Sequence, residues 1–355
     1  MILPTILYNI CFLLFIQEGY AFTTSGAGTT ISRSPVSEKP EYQQEGVEIE
    51  LPNLVLLFDR ITQASPLAKQ VIEHGNDGDG RLGFEFVDDE HPEVLWRKVE
   101  NNKRKTVHKI EKADSFQNVK VPLLRFRSTI NGPCIGERFS HILTHIDERK
   151  QWDDQVKENY EIYPIDPNND YCRLDNAILC DEDRFGTCKR IGVGYTETKQ
   201  GIIAPREQLI LGGMQEYENG ATILWGTEMS ESQNHLFPEG KRHVRAHSHM
   251  FAATLAPTSQ GSFDVEYLLQ MDVGGGLPYF MITPAIISTV KNLFKYAEDY
   301  YAGGEGSELD MYLKQKLHKK DDEYDKMETL LKEGDMVIDH KHPILLDNES
   351  ILFTP

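Results

Sequence analysis

Two groups of side chains in this sequence have the types and spacing to do chemistry. The first is the charged knot Asp147-Glu148-Arg149-Lys150-Gln151-Trp152-Asp153, which sets both signs of charge beside an indole. An arginine in such a place offers a planar fork of donors, suited to a carboxylate or a phosphate. Its plain use is a salt bridge from Arg149 to Asp153 or Glu207. The second group is His243, His247 and His249, which share one parity along an expected strand and so one face of it. No carboxylate or cysteine of the same strand completes a metal set with them, so interior histidines are expected and no metal is assigned.

Other patterns fall short of a site. Asp77-Gly78-Asp79-Gly80-Arg81-Leu82 has the middle of a calcium-loop pattern, but the register puts Gly75 and Phe86 where the first and twelfth ligands need carboxylates. The cysteines show neither a C-x-x-C pair nor zinc spacing. Cys180 and Cys188 flank a turn at Asp181–Gly186, which leaves a disulfide open in an oxidising compartment and thiols in a reducing one. Phosphate loops and nucleophile elbows are missing from the sequence, and no catalytic residue or cofactor is assigned. A formal net charge of −19 argues against general nucleic-acid binding, which needs clustered Lys and Arg.

These residues need elements to hold them. Ile135, Phe139, Ile142, Leu143 and Ile146 follow helical spacing into the charged knot. Strands are expected at Val94–Glu100, Thr106–Glu111, Val121–Ile130, Glu158–Ile165, Gln208–Leu211, Ala221–Glu228 and His243–Ala256. The clearest is Phe263–Asp272, where Phe263, Val265, Tyr267, Leu269 and Met271 alternate with polar residues, one face toward a core or ligand space and the other wet. Gly274-Gly275-Gly276 breaks that strand. Thr283 and Pro284 then supply an N-cap and first-turn Pro for a helix carrying Ile286, Val290, Leu293, Phe294, Ala297 and Tyr301 at helical spacing. Leu51–His74 reads as two short helices, the second opened by Ser65 and Pro66. Strands, a helix, more strands and a long closing helix make an α+β fold.

Arg149-Lys150-Gln151-Trp152-Asp153, Pro205-Arg206-Glu207, Val244-Arg245 and the Asp272–Pro278 approach to the last helix resemble the START lipid-transfer family, and within it the phosphatidylcholine-transfer branch. The resemblance covers about Val94–Tyr301. It implies a helix-grip fold, a curved antiparallel sheet wrapped around the C-terminal helix and enclosing a tunnel for one lipid. It places Arg149 at a lipid phosphate and Trp152, Asp153, Arg206 and Glu207 in structural roles. Leu143, His249, Phe251, Val265, Tyr267, Leu269, Met271, Ile286, Val290 and Phe294 would line the tunnel, and Gly274, Gly275 and Gly276 would hinge the helix as a lid. The implied partners are a lipid, with a phospholipid ahead of a sterol or glycolipid, and a transient membrane surface. Two other functions remain: a cyclase of helix-grip type, with His247 or His249 and Glu207 as acid and base, and a lipid sensor signalling through its tail.

The divisions expected are 1–21 signal peptide, 22–50 leader and linker, 51–93 N-terminal helices, 94–302 lipid-binding domain and 303–355 acidic tail. Residues Ile6–Ile16 are apolar but too few to span a bilayer, and Gly19-Tyr20-Ala21 suits cleavage after Ala21. The Ser/Thr-rich, acid-poor leader that follows, beginning at Phe22, is similar to the presequences of algae with secondary plastids. Entry into the secretory route, then a plastid or secretion, is the expected localisation.

Overall fold

The computed structural model describes residues 49, 51–76, 84, 86, 94–102, 105–167, 177–199, 204–230, 233, 242–303 and 307–315. The leader, Asp77–Gly83 of the calcium-like turn, Cys172 and the tail beyond 315 lie outside the described residues. The described residues belong to one compact unit.

Among the described residues nine strands make one sheet: β1 (Arg97–Asn101), β2 (Val107–Ala113), β3 (Leu123–Asn131), β4 (Val156–Ile165), β5 (Thr187–Thr198), β6 (Arg206–Glu216), β7 (Thr222–Glu228), β8 (Val244–Pro257) and β9 (Ser262–Asp272). Their order is β1-β2-β3-β9-β8-β7-β6-β5-β4, with antiparallel neighbours throughout and one parallel contact, Arg206–Gln208 of β6 against Val244–Ala246 of β8. The α+β expectation therefore stands. β5 is the strand that sequence patterning missed, because Gly192 and Gly194 interrupt its β-branched run.

Helices cover both faces. On one face lie α1 (Leu54–Ala64) and α2 (Pro66–His74), whose stripes Leu54, Leu57, Phe58, Ile61 and Leu67, Ala68, Val71 are buried against Leu123, Leu211, Ile223, Trp225, Met250 and Leu268. Asn53 caps the first and Ser65 the second, with Pro66 in its first turn as the sequence suggested.

The opposite face carries α3 (Gly136–Thr144), α4 (Ile146–Trp152) and the long α7 (Tyr279–Tyr301). Two short helices, α5 (Ala177–Cys180) and α6 (Glu182–Phe185), precede β5. The single helix expected from Ile135 to Ile146 breaks at His145, whose extended backbone (ψ 129°) ends α3 and opens α4. Val290, Leu293, Phe294, Ala297 and Tyr301 of α7 bury against Phe126, Ile130, Phe263, Val265 and Tyr267, so the sheet grips the helix as expected. The helix starts at Tyr279, after Pro278, rather than at Thr283, and it carries Pro284 inside it. Pro284 removes only the N–H that would bond the Phe280 carbonyl, a loss tolerable this near the helix start.

The alternate face of β9 is a correction. It was expected wet, yet Glu266 and Gln270 are fully buried beneath α1 and α2. Arg127 Nε donates to Glu266 at 2.5 Å, and Arg125 pairs with Glu111 at 2.7 Å while also reaching the Ala64 carbonyl. Gln270 accepts from Arg60 and donates to the Val121 carbonyl. Polar alternation marked a second buried interface, paired rather than solvated, and the sequence pattern of a single strand cannot separate those two cases.

Candidate functional site

A cavity of about 420 Å³ opens between α3, the start of α4, and strands β4 to β8. Its size falls within the roughly 300–1,000 Å³ of small-ligand pockets. Leu143, Ile146, Ile210, Met214, Leu224 and Phe251 give it apolar walls. The floor is made by missing side chains: Gly192, Gly194 and Gly212 line it. Gly192 is the cross-strand partner of Gly212, Gly212 of Gly226, and Gly226 of Phe251. Three glycines in one row across β5, β6 and β7 leave a trough that side chains would otherwise fill. The polar residues of the cavity include His141, His145, Asn159, Glu161 and Arg190. The two histidine rings stack with centroids 4.4 Å apart.

Of the expected tunnel residues, Leu143 and Phe251 line this cavity. Val265, Tyr267, Val290 and Phe294 are instead packed together in the core beneath α7, with Leu269 and Ile286 at its margin. Tyr267 makes edge-to-face contacts with Phe126, Phe251 and Phe294, at centroid distances from 5.2 to 6.1 Å. Burial pushes the Tyr267 phenol up to about 12. Met271 takes a hydrogen bond from Gln208 on its sulfur. His249 stands apart: its Nδ1 is 2.8 Å from Glu228 and its carbonyl accepts from Arg60 of α1.

Arg149 is a staple. Its Nε donates to Asp153 at 3.3 Å and its Nη1 to Asn159 of β4 at 3.1 Å, with Thr196 of β5 at 3.5 Å. Its guanidinium also lies over the Trp152 ring, 5.5 Å from the centroid. Trp152 itself donates to the Ile142 carbonyl, fixing α4 against α3. Asp153, then, is the carboxylate that Arg149 holds. Glu207 is held by Arg245 at 2.8 Å. His247 and His249 both place Nδ1 on Glu228, at 3.0 and 2.8 Å, and His243 meets Glu197 at 3.0 Å. These carboxylates come from other strands, β7 and β5, which pattern along one strand could not reveal.

Gly274, Gly275 and Gly276 have φ of +69°, +70° and +67°, three successive left-handed residues that only glycine adopts readily. Asp272 accepts from the Gly274 N–H at 2.8 Å, and Arg206 donates to the Val273 carbonyl at 3.3 Å. The turn is built, and it delivers the chain into α7. Cys180 ends α5 and Cys188 lies on β5 with its thiol on the Arg190 carbonyl, so the open disulfide is not formed.

No protein-family model matches the chain, and no curated protein does. Solved structures do. Human STARD10 aligns at 18% identity over 62% of this chain and 83% of its own, with a TM-score of 0.43. Human StAR-related lipid transfer protein 5 aligns at 15% identity over 70% and 97%, with a TM-score of 0.45. The STAR-related lipid transfer protein from Xanthomonas axonopodis aligns at 13% identity over 59% and 99%, with a TM-score of 0.42.

Proposed function

We propose that this chain binds one lipid and carries it between membranes. The observation behind this reading is the glycine-floored cavity, whose apolar walls and polar margin match a molecule with an acyl part and a head. Each methylene taken from water contributes roughly 0.8 kcal/mol, so a partly enclosed acyl chain already gives useful affinity. A phospholipid is the ligand we favour, since the polar margin carries the Arg190 guanidinium.

Exchange needs a membrane-facing surface. Phe280 and Met281, 78% and 50% exposed, open α7 directly after the glycine turn. We read them as a transient anchor on a bilayer, with the three glycines as the hinge about which α7 shifts. Native mass spectrometry of the purified chain, with extraction of whatever it holds, tests the reading. One lipid per chain is expected. A chain that stays empty after incubation with mixed phospholipid vesicles overturns it.

A further inference from the structure

The expected phosphate ligand, Arg149, does not line the cavity, whereas another arginine does. Arg190 stands there with His141 and His145. It is half exposed and, among the described residues, pairs with Glu161, at 3.2 and 3.3 Å. Exposed pairs of this kind contribute little to stability, so the guanidinium can exchange its partner at small cost. Glu161 reaches it by lying across Gly192, where an added Cβ would come within 2.5 Å of the carboxylate oxygen. Burial first, and then Arg138, His145 and Arg190, lower the pKa of His141, against an opposing effect of Glu308. A guanidinium held only by a half-exposed ion pair therefore stands on the cavity lining, on a chain that is acidic as a whole.

We infer that the cavity mouth receives a phosphate-bearing head group on Arg190, with the stacked His141 and His145 beside it, and that Arg149 serves only to hold α4 on the sheet. This rests on the lipid-carrier reading of the same cavity. The phosphate replaces Glu161 on the guanidinium fork, which can meet two of its oxygens at once. The acyl part then runs over the glycine floor toward Phe251. The chain reads the anion through Arg190, since a neutral head leaves the Arg190–Glu161 pair undisturbed.

The full chain is loaded from vesicles holding equal dioleoyl phosphatidate and dioleoylglycerol, and bound lipid is counted by native mass spectrometry. Parallel samples carry Arg190→Gln, Arg149→Gln, or the cavity-filling Gly194→Leu, each checked for folding by circular dichroism. The wild type is expected to prefer phosphatidate, Arg190→Gln to lose at least tenfold in phosphatidate while keeping dioleoylglycerol, and Arg149→Gln to keep the preference. His141→Gln with His145→Gln gives a second reading of the mouth and is expected to weaken phosphatidate alone. Undiminished preference in Arg190→Gln overturns the inference. Loading of both lipids without preference, blocked by Gly194→Leu, overturns it while leaving the carrier reading intact. A wild type that loads neither lipid overturns both. Inorganic phosphate is added in a further arm: if it binds and is lost with Arg190→Gln while phosphatidate does not load, the site takes a free anion and the head-group assignment falls.

Discussion

Gly192 on β5 and Gly212 on β6 are direct cross-strand partners, and the space above them is part of the cavity. Two residues along β5, a Cβ at Gly194 would meet only the carbonyl oxygens of Ile210 and Tyr160, at 3.9 and 4.0 Å. A side chain there fits the strand and enters the cavity. Gly194→Leu is therefore expected to fold with an unchanged melting temperature, within a few degrees, and to lose bound lipid. Ligand occupancy equal to the wild type would show that the lipid lies elsewhere.

The ion pair of Arg127 and Glu266 is almost wholly shielded from water, with side chains 3% and 0% exposed. Removing one partner strands the other charge in the interior, at a cost of about 3–5 kcal/mol. Glu266→Gln should lower the urea midpoint accordingly and release α2, whose Leu67 N–H also reaches Glu266. Replacing both partners together, Arg127→Met with Glu266→Leu, should recover most of the loss. A double variant as unstable as the single one would mean that the pair itself, not the stranded charge, carries the stability.

Acid should weaken the fold. Burial raises the pKa of Glu111, but Arg125 and Lys109 outweigh it and hold the group below its ordinary 4.5. Glu197, with Lys157 and His243, and Glu228, with His249 and His247, show the same balance. A carboxylate with a depressed folded pKa contributes stability that is complete above the ordinary value and is lost as pH falls through the depressed one. Thermal melts should accordingly decline as pH drops below about 4.5, the reference value for these groups. Glu111→Gln should flatten part of that decline and lower stability at neutral pH, because the buried Arg125 then loses its carboxylate. An acid limb as steep as that of the wild type would remove Glu111 from the account.

The sheet-and-helix plan was legible because it rests on local signals: period two in β9, helical spacing in α7, Ser65-Pro66 at the start of α2. The cavity was less so. Leu143 and Phe251 could be named, yet the site is made by Gly192, Gly194 and Gly212, whose contribution is absence of bulk and becomes visible only once strand register brings them together. Arg190 was hidden for the same reason, since it stands in a segment with no pattern to place it opposite α3. The histidines of β8 looked partnerless because Glu228 and Glu197 arrive from other strands. The expected wet face of β9 shows the reverse fault, as a strand's polar side looks alike whether water or Arg127 faces Glu266.

Membrane contact is the step that the structure makes most accessible to mutation. Phe280 and Met281 stand exposed at the start of α7, beyond the glycines, and the stripe that α7 buries in the core begins only at Val290. Burying such a side chain contributes about 1.5–3 kcal/mol, so changing both to serine removes enough to weaken binding by well over tenfold. Phe280→Ser with Met281→Ser should therefore cut co-sedimentation with phosphatidylcholine vesicles while leaving the melting temperature and the lipid already held in the cavity unchanged. The rate of lipid exchange should fall with it, since loading requires the chain to sit on the bilayer. If vesicle binding falls but exchange does not, the anchor and the loading route are separate. If neither changes, the exposed pair is not the membrane surface.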